Sequence, residues 1–113
     1  MRNMSFSMTT PQFRNGSKDV TRRFGWWFIR AGDRVQAVEK AMGLKRGEKM
    51  NKLGVIEIVS TRKEPLNTIT QDDCVREGFP HFLPSDFVNM ILTAYPNESP
   101  ESFINRIEFK RIS

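Results

Sequence analysis

The chain changes its hydrophobic period at Pro65, and that change limits what it can fold into. Before it, residues 53–61 contain Val55-Ile56-Glu57-Ile58-Val59, a β-branched, largely apolar run with the pattern of a strand. After it, Thr70-Gln71-Asp72-Asp73 has the form of a capping box, with acids in the first turn where the helix dipole favours them. That helix is predicted to reach Glu77 and to stop at Gly78. A second helix is predicted to open at Ser85, with Phe87, Ile91 and Tyr95 on one stripe, Val88 and Leu92 beside it, and Pro96 as its end. Residues 104–112 alternate again, with Ile107 and Phe109 on one face.

Upstream, residues 6–10, 20–24 and 34–40 read as further strands, with Ala31-Gly32-Asp33 as a turn. Thr10-Pro11 reads as an N-cap followed by proline at the first helical position, and Gly16 as the left-handed terminator of about one helical turn. Short strands with a few helices predict an α+β fold, a small mixed sheet curled towards a barrel. At 113 residues, a single domain over 1–113 is expected.

Composition narrows the chemistry. Hydrophobic residues make up 38% of the chain, enough for a folded core. No apolar stretch approaches the roughly 18 residues of a membrane helix, and the first residues lack a signal-peptide run. A cytoplasmic protein with no membrane partner is the expectation. Cys74 is the only cysteine and His81 the only histidine. This excludes an intramolecular disulfide, a cysteine-based zinc site and a histidine-pair metal site, and nothing calls for a metal or other cofactor. Catalysis is expected from Lys, Thr, Glu, Asp or Arg.

Charge is unevenly spread. Residues 14–63 carry thirteen Lys or Arg against five Asp or Glu, whereas residues 64–113 carry four against eight. A basic half of this kind suits a polyanion or a nucleotide. Lys45, Arg46, Lys49 and Lys52 lie in a basic loop that reads either as phosphate contacts or as a solvated hairpin tip.

The basic half also holds Gly16-Ser17-Lys18-Asp19-Val20-Thr21-Arg22-Arg23, of the pattern G-x-K-x-x-T-x-R. On a strand, Thr21 and Arg23 point to one side, and a turn after Gly16 lets Lys18 reach it. A threonine hydroxyl needs a neighbouring base to become a nucleophile. A lysine serves only if burial or nearby cations, here Arg22 and Arg23, lower its pKa. On pattern alone, solvated charges around a β-forming threonine account for the segment equally simply. Glu77, at a helix C-terminus, stands where the dipole disfavours a carboxylate; it reads either as a general acid or as a solvated partner of Arg76. Trp26-Trp27-Phe28 reads as core packing, or as a stacking surface for a base.

Gly16, Lys18, Thr21 and Arg23 reproduce the signature of ASCH domains, small barrels related to the RNA-binding PUA fold, and the chain resembles that family over nearly its whole length. Gly32-Asp33-Arg34-Val35, the strand at 55–59, the helix from Thr70 and a closing strand near Ile107-Glu108-Phe109 follow the family order. The closest likeness in motif is to the bacterial N4-acetylcytidine amidohydrolases. That resemblance implies Lys18 and Thr21 as catalytic residues, with Glu77, seven residues past Thr70, completing a Lys-Thr-Glu triad. It implies a modified pyrimidine nucleoside as substrate, with Arg23, Arg22, Trp26 and Trp27 near the ligand. Other members are implicated in RNA binding or ribonuclease activity, and many are phage-encoded. On that alternative the protein is an RNA-binding module, with Lys45 and Arg46 on the phosphates. The chain departs from the hydrolase branch at Phe24-Gly25-Trp26-Trp27-Phe28, where that branch is polar and acidic, and in a longer, more basic loop over residues 40–52.

Overall fold

The computed structural model describes residues 1–41 and 44–113. Its elements are β1 (Asn3–Ser5), α1 (Thr10–Arg14), β2 (Val20–Arg23), β3 (Arg34–Val38), β4 (Lys52–Pro65), a 3-10 turn (Leu66–Thr68), α2 (Gln71–Arg76), α3 (Pro84–Ala94) and β5 (Phe103–Arg111). The basic loop between β3 and β4 contains Met42 and Gly43, which lie outside the described residues.

The strands form one mixed sheet in the order β1-β3-β4-β5-β2. β1 runs parallel to β3, and the other neighbours are antiparallel. The α+β expectation holds, but the sheet does not close into a barrel. β1 and β2 are its two free edges and do not pair with one another. The run of residues 53–61 is longer than predicted. Lys52–Pro65 crosses the whole sheet, with a register shift between Ile58 and Ser60 that increases the local bend.

The first strand lies earlier than the alternation suggested, at Asn3–Ser5, because the chain turns after Phe6, with the Thr9 N–H donating to the Phe6 carbonyl oxygen at 3.0 Å. Thr9, not Thr10, is the N-cap, and Thr10 Oγ1 instead donates to the Phe6 carbonyl oxygen at 2.8 Å. α3 begins one residue before Ser85, at Pro84, with Asp86 Oδ2 accepting from the Leu83 N–H at 2.8 Å. Along α3, Phe87 and Val88 are buried whereas Tyr95 is half exposed.

The core lies on both faces of the sheet. Met4, Phe6, Phe13, Val35, Ile56, Ile58, Ile107 and Phe109 pack on the α1 side, with Phe6, Phe13 and Phe109 forming an aromatic cluster. Leu66, Ile69, Cys74, Phe87, Val88 and Ile104 pack under α2 and α3. Burial of these side chains, at roughly 25 cal/mol per Å² of apolar surface, is what holds α1 and α3 on opposite faces of the strands. No helix among the described residues is long and apolar enough to cross a membrane.

Candidate active site

Gly16 takes φ +79°, the left-handed turn that ends α1. The chain then passes Lys18 and enters β2 at Val20. Because β2 is an edge strand, side chains from both of its faces reach one cavity beside it. Lys18, Thr21, Arg22, Arg23 and Glu77 line it together with residues 5–9. Phe79, Phe87, Met90, Ile91 and Tyr95 supply an apolar wall from α3 and the loop before it. The cavity is partly open to solvent and holds about 170 Å³.

Lys18, Thr21 and Glu77 therefore converge, although they come from a loop, a strand and a helix end. All three are buried. Lys18 Nζ donates to Glu77 Oε1 at 2.5 Å and to the Glu77 carbonyl oxygen at 3.1 Å. The second contact explains why a carboxylate is tolerated there: Glu77 is the C-cap of α2, and the Lys18 ammonium meets both the helix's negative end and the side chain. Arg76 does not balance Glu77. It pairs with Asp19 and Glu108 on the outside.

Burial pushes the Lys18 amine below its ordinary pKa; Glu77 opposes this, and the Arg23 and Arg22 charges add to it. Thr21 Oγ1 accepts from Arg23 Nε at 3.0 Å, so its oxygen lies against a guanidinium. Arg23 also lies over the Phe6 ring, 4.9 Å from its centroid.

Arg22 has a different setting from the one the motif implied. It lines the cavity, but its guanidinium is committed to carboxylates: Glu64 at 2.9 Å, Glu77 at 3.5 Å, and Asp73. Asp73 in turn takes Arg106 through two hydrogen bonds, at 2.7 and 3.1 Å. Strand register makes this necessary. Arg22 stands opposite Arg106 across β2 and β5, and Arg106 opposite Arg62 across β5 and β4, so three cations are aligned over three strands. Like charges in that position repel, and Asp73 from α2 offsets them. Sequence reading treated Asp73 as a dipole-favoured acid only. Its spacing of four residues from Glu77, which puts both carboxylates on one helix face, was the available signal.

Trp26 and Trp27 are not part of the cavity wall. Trp26 packs partly against the core and beside Phe28, at 5.3 Å between ring centroids. It follows Gly25 in a left-handed conformation, φ 58°. Trp27 is half exposed, with Lys63 Nζ 5.8 Å from its ring centroid. Lys45 and Arg46 are exposed in the β3–β4 loop, away from the triad. His81 is exposed in a loop and Cys74 is buried in the core.

No protein-family model and no curated protein matches the chain. Solved structures do. A protein of Enterococcus faecalis V583 from the family described as DUF984 superposes with a TM-score of 0.69 at 12% identity, over 99% of this chain and 76% of that one. An ASCH domain from Lactobacillus crispatus JV V101 superposes with a TM-score of 0.62 at 15% identity, over 97% of this chain and 78% of that one. These likenesses span nearly the whole chain and show that it has the fold of these structures, that of an ASCH domain.

Proposed function

We propose that the protein is a hydrolase of N4-acylated cytidine-type nucleosides, acting through Lys18, Thr21 and Glu77. The observation that carries this reading is the meeting of those three side chains at one cavity. About 170 Å³ is below the roughly 300–1,000 Å³ of common small-molecule pockets, so it suits an acylated base with the sugar at the mouth.

In this reading Thr21 Oγ attacks the acyl carbonyl and its proton passes to the neutral Lys18 amine. The Arg23 Nε–H stabilises the developing alkoxide. The proton moves across the Lys18–Glu77 hydrogen bond, and Glu77 delivers it to the departing N4 amine, leaving an acyl ester on Thr21. Glu77 then takes a proton from water as the water attacks the ester, and Thr21 regains its proton as the acid leaves. The apolar wall of Phe79, Met90 and Ile91 keeps bulk water from the ester.

The test is cytidine release from N4-acetylcytidine by the purified protein. The wild type is expected to turn over, and Lys18→Ala, Thr21→Ala and Glu77→Gln to lose about 100-fold or more in rate. No turnover by the wild type overturns the reading for that substrate. The RNA-binding alternative rests on exposed Lys45, Arg46, Lys49 and Lys52. It predicts RNA affinity that falls steeply with salt and weakens when those four are changed to Gln.

A further inference from the structure

The interior cations around the cavity are Lys18, Arg22, Arg23 and Arg106, and the interior carboxylates among them are Glu64, Asp73 and Glu77. Lys18, Arg22 and Arg106 each have a carboxylate within 3 Å. Arg23 has none among the described residues. Its Nε–H is used on Thr21 Oγ1, and one face of its guanidinium is covered by Phe6. The two terminal NH2 groups have no protein acceptor among the described residues, although the residue lines the cavity. Arg23 thus presents a fork without a carboxylate partner, its orientation already fixed at Nε.

We infer that the free fork of Arg23 is an anion subsite of the cavity, taking one carboxylate or phosphate group of the bound molecule. A planar guanidinium matches the two oxygens of either group in a bidentate pair. With Phe6 on its face, the anion approaches edge-on from the cavity. The apolar α3 wall lowers the local dielectric and strengthens the pair. A carboxylate would come from the acyl side of the ligand, as the acid released by amide cleavage; a phosphate would come from a nucleotide. The subsite is a binding property and stands apart from the hydrolase reading.

The experiment is an NMR titration of the arginine Nε–Hε signals with sodium acetate, sodium phosphate and neutral acetamide at constant ionic strength. The Arg23 signal is expected to shift and saturate with acetate or phosphate, and not with acetamide. Saturation by acetate alone assigns the subsite to an acyl carboxylate, and by phosphate alone to a nucleotide phosphate. Followed at the Thr21 amide, Arg23→Gln should weaken the anion at least tenfold. Ile91→Trp, which fills the cavity without altering charge, should do the same, and exposed Arg30→Gln should leave affinity unchanged. If Arg23→Gln does not fold, the wild-type Arg23 signal and Ile91→Trp decide. No saturable shift with either anion, an equal response to acetamide, or undiminished binding in Ile91→Trp overturns the inference. Anion binding without cytidine release would remove the hydrolase reading and keep the subsite.

Discussion

Asp73→Asn is the substitution that most directly tests how the site is held. The side chain keeps its shape, but the carboxylate that joins Arg22 to Arg106 is lost. One oxygen becomes an NH2 group facing guanidinium donors, and Arg22 and Arg106 are left opposite one another in the sheet. Asp73 and both arginines are buried, so water does little to screen that repulsion. Removing one partner from a buried ionic network costs about 3–5 kcal/mol. For a domain of this size that corresponds to a melting temperature lower by roughly 10–20 °C. Urea unfolding followed by far-ultraviolet circular dichroism measures the free-energy difference at pH 7.

The same experiment against pH supplies a second readout. Burial raises the Asp73 pKa, but hydrogen bonds from Arg106 and Arg22 outweigh it and hold the carboxyl well below the usual range. A folded pKa below the unfolded value of about 3.9 means that the stabilisation is fully present above pH 4 or so. It is lost as pH falls through the folded value. The wild type should therefore lose stability faster than Asp73→Asn as the solution is acidified below pH 4, and the two should approach one another. A variant within 1 kcal/mol of wild type at pH 7, or parallel profiles down to pH 2.5, would refute the account of the network.

Two further predictions concern the ground beneath the triad. Gly78→Ala forces a side chain into φ +98° and a Cβ to 2.6 Å from Gln12 Cβ, so a loss of about 1–3 kcal/mol in thermal or denaturant unfolding is expected, together with lower turnover as Glu77 shifts. Cys74 is fully buried and burial pushes its thiol pKa up, so iodoacetamide should label it only at the rate of unfolding; rapid labelling of the native protein would show that α2 opens independently.

Local rules carried much of the fold. Thr70 caps α2 through its side chain, Gly78 ends the turn after it with a positive φ, and Ile107 and Phe109 share the α1 face of β5. Strand pairing lay beyond such rules, because a strand's alternation says which face is buried and not which neighbour it meets. The open edge at β2 followed from neither composition nor period. Nor did the alignment of Arg22, Arg106 and Arg62, three unremarkable cations until register sets them in a row. At the site, the motif and the resemblance brought Lys18, Thr21 and Glu77 to attention, and the structure brings them together. Of the two readings of the aromatic run after the motif, Trp26 follows core packing in part, while Trp27 is half exposed and neither ring lines the cavity.

β2 has a single partner in the sheet, β5, and β5 occupies residues 103–111. The strand that carries Thr21 thus has nothing to pair with until almost the whole described chain has been synthesised. Lys18 waits in turn for Glu77, 59 residues further along the chain. During translation Thr21 is made before the strand it pairs with, and the site is completed when β5 takes its place between β4 and β2. Closing such a long loop is an entropic cost met only at the end, which favours a slow, concerted final step over stepwise assembly of the site.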